Sequence, residues 1–318
     1  MKANLYLHGD SLKYNGTDTE QEFCSKFISL LSDLNEIRNH YGAENAIKVS
    51  TSLSDGSVVL YGDKNIYDIA GQLNYEEKNF LYALMYNTSD VFDMSLAETE
   101  ALCTYNEDEQ ECNSVVYLNK PLPCKITYPI NYITFDKYQI VYGKESWHTM
   151  RRQIMGNHPG TPKEFINECR VHFPNIIFND NCEVSVANYL NLVPRKIVYY
   201  LSCMNDRLQA HMATSLTTDE NVLLADFCGK YGFDEAGTRQ STPQKKKAYQ
   251  FKFLKSGCED KPCNYKTITC DPHMKIKFCD SNCKVVIKDF VARIYFHFGD
   301  DEIAKGKLLV GSIGPHVN

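Results

Sequence analysis

No stretch of this sequence approaches the roughly 18 consecutive apolar residues that a membrane-spanning helix needs. Its opening, MKANLYLHGDS, also lacks the apolar run of an export signal, so the expectation is a cytoplasmic protein with no membrane partner. Walker loops, GxGxxG, GxSxG and HExxH are missing, which removes the sequence signatures of P-loop NTPases, dinucleotide enzymes, α/β-hydrolases and zinc peptidases. No internal repeat argues for a solenoid. The 13 cysteines are an odd number in a chain without an export signal, so they are expected as reduced thiols packed like small apolar residues. On that reading the sequons at Asn15 and Asn87 carry no glycan.

What remains is an ordinary globular composition, 43% apolar and 23% charged, over 318 residues. The net charge of −6 conceals a division. Residues 237–318 hold 15 Lys and Arg against 8 Asp and Glu, whereas residues 1–236 hold 19 against 32. A basic C-terminal part would meet a polyanion or the acidic part of its own chain; otherwise the asymmetry is solvated surface charge.

Four helices announce themselves. Thr19 and Glu22 form a capping-box pattern ahead of Phe23, Phe27, Leu30, Leu31, Leu34 and Ile37, whose spacing makes one apolar face. Thr161, Pro162 and Glu164 start a second, and a third and fourth are expected over 196–208 and from Thr218 to Tyr231. Between them, strands are expected at 46–51, 58–61, 115–118, 132–135, 139–142 and 176–178, with the acidic run 105–114 as a loop. The stretch DEAGTRQSTPQKKK has almost nothing to bury and reads as a linker. Alternating segments follow at 249–254, 273–278, 284–287, 291–298 and 307–313. The expected fold is α+β: an acidic α/β part over 1–125, a mainly helical region over 126–233, a linker over 234–247 and a basic, mostly antiparallel sheet domain over 248–318.

Chemistry concentrates in that last domain. Successive strand residues face opposite ways, so Ile294, Phe296 and Phe298 point to one side and Arg293, Tyr295 and His297 to the other. Likewise Met274, Ile276 and Phe278 turn inward and leave Lys275 and Lys277 together. If the two strands are neighbours, these polar residues share one surface, with His316 at its edge. Metal-free RNA cleavage needs a base for the 2′-hydroxyl, cations for the pentavalent phosphate and an acid for the 5′-oxygen. Histidine suits the acid role, arginine grips phosphate through paired hydrogen bonds, and adjacent lysines can lower one another's pKa enough to supply a base.

The order KIKF, ARIYFHF, LLVGSIGPH resembles the RelE/ParE/YoeB superfamily of bacterial toxins over residues 274–318. The resemblance implies a RelE-like sheet and an endoribonuclease of the mRNA interferase type, acting on RNA or the ribosome in phage defence or stress arrest. It implies that Lys275, Lys277, Arg293 and His316 are catalytic, His316 as general acid, without a cofactor. Lys245, Lys246, Lys247, Tyr295 and His297 would add nucleic-acid contacts. An antitoxin, or intramolecular inhibition by the acidic part, would restrain it. The sequence departs from the compact toxins in the insertion CDSNCKVVIKD between Lys277 and Arg293, and no tyrosine follows His316. The alternative is a noncatalytic nucleic-acid or protein interaction module that uses the same face, or a solvated sheet face with no ligand.

Two other clusters stand out. Cys258, Cys263, Cys279 and Cys283 could hold zinc, although their spacing is not that of paired Cys-x2-Cys sites and reduced thiols explain them as well. Trp147, His148, Arg151, Arg152 and His158 gather just ahead of the second helix, as a ligand groove or as a packed tryptophan beside a solvated basic patch.

Overall fold

The computed structural model describes residues 3–14, 16–40, 45–87, 90–104, 112–119, 139–240, 246–259, 261, 264–279 and 285–315. They contain both helices and strands, in two compact units that divide between Arg151 and Arg152, inside the helix Lys144–Asn157. The strand expected at 132–135 and the boundary expected near 125 lie outside the described residues.

The first unit is built on a five-stranded, wholly parallel sheet. Its strands are β1 (Ala3–Leu7), β2 (Asn45–Ser50), β5 (Val91–Phe92), β6 (Cys112–Val116) and β7 (Ile140–Val141), while β3 (Val59–Tyr61) and β4 (Lys64–Asn65) form a separate hairpin. The order across the sheet is β5-β2-β1-β6-β7. The chain thus starts in the middle, winds outward through β2 and β5, and returns to β6 and β7 on the other side, the doubly wound arrangement whose direction reverses between β1 and β6. All five residues of β1 are buried, as a central parallel strand covered on both faces requires. The acidic segment becomes strand at Cys112, earlier than expected, because β6 pairs with β1 from Ala3 opposite Cys112 to Leu7 opposite Val116. The capping box at Thr19 forms, with the Thr19 N–H donating to Glu22 at 2.7 Å ahead of the helix Glu20–His40.

At the reversal point, the turn after β1 is bonded shut. His8 Nδ1 accepts from the Asp10 N–H at 3.1 Å, leaving the Nε2 proton to bond the Met94 carbonyl at 3.0 Å. Ser11 Oγ lies 2.6 Å from the Val116 carbonyl, and the Leu118 N–H donates to the Ser11 carbonyl at 3.3 Å.

The second unit joins what the sequence divides. Its main sheet has the order β11-β12-β13-β8, from β8 (Ile176–Phe178), β11 (His273–Cys279), β12 (Val285–His297) and β13 (Leu308–Gly314). β11, β12 and β13 are antiparallel, but β13 pairs in parallel with β8, so the basic segment shares its sheet with a strand from the helical region. The separation of 126–233 from 248–318 therefore does not hold. The two strands expected at 284–287 and 291–298 are one, β12.

The expected linker is also corrected over its described part. Residues 234–240 pack along the free edge of β11, where Thr238 and His273 exchange backbone hydrogen bonds of 3.1 and 2.9 Å. Gly237 sits so close to Met274, Leu224 and Cys228 that an added Cβ would lie 2.9 Å from the Met274 sulfur.

One face of the sheet, with Met274, Ile276, Ile294, Phe296, Val310 and Ile313, joins the large core formed with the helices. Part of the opposite face is roofed by the hairpin of β9 (Gln250–Leu254) and β10 (Tyr265–Thr269), through a second core of Tyr249, Phe253, Ile268, Cys270, Tyr295 and Leu309. Gly311 explains how the roof fits: an added Cβ would lie 2.2 Å from the Phe251 ring.

The third expected helix forms as Pro194–Cys203 and continues through one π-helical turn, Met204–Leu208. Trp147, His148, Arg151 and Arg152 prove to be buried side chains on the helix Lys144–Asn157, neither a groove before a helix nor a solvated patch. Arg152 donates to the His172 carbonyl at 2.6 Å and to Asp206 at 2.7 Å, and its guanidinium lies over Phe173.

Candidate basic site on the C-terminal sheet

The register of β11, β12 and β13 sets the geometry. Lys275 lies opposite Arg293, and Arg293 lies opposite Gly314 on its other side. Directly opposed residues of antiparallel strands share a face, so this row runs across three strands on one surface. Lys277 follows two positions along β11, on the same face. The end of β13 is held: Ser185 Oγ accepts from the Ile313 N–H at 3.1 Å, and Gly314 lets the helix Asn181–Leu190 approach, since a Cβ there would lie 2.9 Å from the Ser185 carbonyl. His316, two residues farther along, lies outside the described residues, as does Lys245.

Lys275 and Lys277 are partly buried, with 23% and 32% of their side chains exposed, and both face one carboxylate. Glu235 is 2.8 Å from Lys277 and 3.4 Å from Lys275. The hydrogen bond from Lys277, then the charges of both lysines, hold the Glu235 carboxyl below the usual carboxylate range. The two lysines thus share one counter-ion.

Beneath this group lies a buried pair. Both oxygens of Asp234 contact Lys196 Nζ, at 2.9 and 3.0 Å, and its Oδ2 accepts from the Lys277 N–H at 2.7 Å. The Asp234 N–H donates to Tyr200 Oη at 2.6 Å, and the Tyr200 ring stacks on Phe233 at 3.7 Å. Two charges this deep are compensated only by such complete hydrogen bonding.

One expected contact is overturned. Tyr295 is fully buried, stacked on Tyr249 at 4.0 Å between ring centroids with a 2.9 Å hydrogen bond between their hydroxyls, so it offers no ring to a nucleic acid. His297 is half-buried at the roofed end of the face, where its Nδ1 accepts from the Gly299 N–H at 3.2 Å. Alternation assigned both to the correct face, but it carried no sign of the hairpin that covers that end.

Of the basic run, Lys246 contacts Asp271 at 3.2 Å while Lys247 is exposed. Asp271 is also held by two hydrogen bonds from Arg239, at 3.0 and 2.7 Å. Burial pushes its carboxyl up, but Arg239 and Lys246 together outweigh it and hold it below the usual range. Lys255 and Lys266 both pair with Glu302, so neither stands as an isolated cation.

Of the zinc candidates, Cys263 and Cys283 lie outside the described residues, Cys279 ends β11 and Cys258 is half-buried in a loop. No group of metal-ligating side chains forms among the described residues.

Sequence reasoning missed Glu235, Asp234 and Lys196. The acid pair stood in what read as a linker, and the lysine in a helix with no distinguishing motif. Compared with known proteins, the chain matches no family model, no curated protein and no solved structure.

Proposed function

We propose that the basic row on β11 and β12 binds the phosphodiester of an RNA and that the chain is a metal-independent, RelE-like endoribonuclease. The observation that supports this best is the register Lys275–Arg293–Gly314 across three strands, which brings together two of the three expected cations beside the strand that leads toward His316. In this reading Arg293, Lys275 and Lys277 neutralise the charge that develops on the pentavalent phosphorus, and His316 protonates the 5′-oxygen as it leaves. The 2′-hydroxyl proton passes to solvent water, the 2′-oxygen bonds to phosphorus, and the bond to the 5′-oxygen breaks as His316 gives that oxygen its proton. The chain is then a cytoplasmic toxin, acting on free or ribosome-bound RNA.

The test is induction of the full chain in bacteria, with total RNA and translation followed over time, against Arg293→Ala and His316→Ala. Growth arrest with transcript cleavage that both substitutions abolish is the expected result. If the folded chain leaves RNA intact but binds it, with affinity falling steeply with salt, the site is a noncatalytic nucleic-acid surface.

A further inference from the structure

The main chain beneath Glu235 is fastened on both sides. Asp234 is fixed by Lys196, Tyr200 and the Lys277 N–H. Three residues after Glu235, Thr238 is paired with His273, and Arg239 grips Asp271 with two hydrogen bonds. Gly237, between them, packs where an added Cβ would lie 2.9 Å from the Met274 sulfur. The Glu235 side chain, by contrast, is 36% exposed and can rotate while the backbone stays in place. Its two oxygens span Lys277 and Lys275, as the two nonbridging oxygens of a phosphodiester would.

Resting on the reading of this face as a phosphodiester site, we infer that Glu235 is a built-in competitor: its carboxylate occupies the lysine pair in the empty protein and must swing away before RNA phosphate can bind. The device sets a threshold of affinity without requiring a domain to move. The same carboxylate is a poor base for the 2′-hydroxyl, because two adjacent ammonium groups make it a weak proton acceptor. The two roles predict opposite effects of removing it.

The experiment measures binding of a fluorescent ten-nucleotide RNA, 2′-O-methylated to prevent cleavage, to the full chain at low salt. It compares wild type, Glu235→Gln, Glu235→Ala, Lys275→Ala/Lys277→Ala and the triple variant that adds Glu235→Gln. Glu235→Gln and Glu235→Ala should each tighten binding about two- to fivefold, the range expected for releasing an exposed ion pair. Glu235→Gln should add nothing once the lysines are gone. Unchanged or weaker binding in both Glu235 variants, while loss of the lysines still weakens wild type, overturns the competitor and leaves the basic face standing. If no folded variant binds RNA, the reading of the face fails and the competitor falls with it. A parallel assay on unmodified RNA separates the remaining case: unaltered binding with cleavage abolished in Glu235→Gln would make Glu235 the base instead.

Discussion

The two sheets each hold an early or late strand of the chain in their interior, yet they use it differently. In the first unit β1 lies between β2 and β6, buried along its whole length, and the polar turn after it is consumed by bonds to neighbouring carbonyls. In the second unit β13 lies between β12 and β8, equally buried, but its last residue, Gly314, is opposite Arg293, which in turn is opposite Lys275. A strand that only carries a core can be covered on both faces. One that presents charge must leave part of a face uncovered, and here the β9–β10 hairpin stops short of Lys275 and Lys277.

That contrast can be broken most severely at the buried ion pair. Lys196→Met keeps an apolar stem but strands Asp234, and should cost about 3–5 kcal/mol in urea unfolding of the C-terminal unit. In the first unit, Leu5→Ala should cost about 2–5 kcal/mol by opening a cavity in the central strand, with no loss of RNA affinity. Equal loss of RNA affinity in both variants would erase the distinction between a core sheet and a charge-bearing one.

A smaller effect is expected at Asp271. Its carboxyl is held below the ordinary range, so its stabilisation is fully present above the usual aspartate pKa and is lost as pH falls through the depressed value. Asp271→Asn should therefore cost about 2 kcal/mol at neutral pH, with the gap from wild type narrowing below about pH 4. A gap independent of pH would show that Arg239 does not depend on the charge. Tyr295→Phe should lose about 1 kcal/mol with its buried hydroxyl bond, and RNA binding should be unaffected because the ring is roofed.

The smallest effects compare like with like. Thr19 in the first unit and Thr161 in the second head capping boxes of the same design, and each Thr→Ala should cost about 0.5–1 kcal/mol by thermal unfolding. A marked inequality would mean that the helices differ in how strongly tertiary packing supports their first turns.

Both capping boxes were legible because they are local: a side chain and a backbone group three residues apart meet whatever surrounds them. Alternation within each strand likewise set Lys275 beside Lys277 and turned Arg293 away from the apolar residues of β12, but their union on one face required the β11–β12 pairing. The first strand was not read at all. Ala-Asn-Leu-Tyr-Leu is short and does not alternate, and only the two flanking parallel strands, β2 and β6, make it the middle of a sheet.

By itself, then, the sequence determined the mixed helix and strand content, the capped helices and which residues of β11 and β12 turn away from the core. Tertiary structure alone decided that β8 closes the C-terminal sheet, that the hairpin hides Tyr295, and that Asp234 and Glu235 leave a supposed linker to meet Lys196 and the lysine pair. The reason is reach: these contacts join residues tens of positions apart in sequence, and no local periodicity records which distant side chain supplies the counter-ion or the cover.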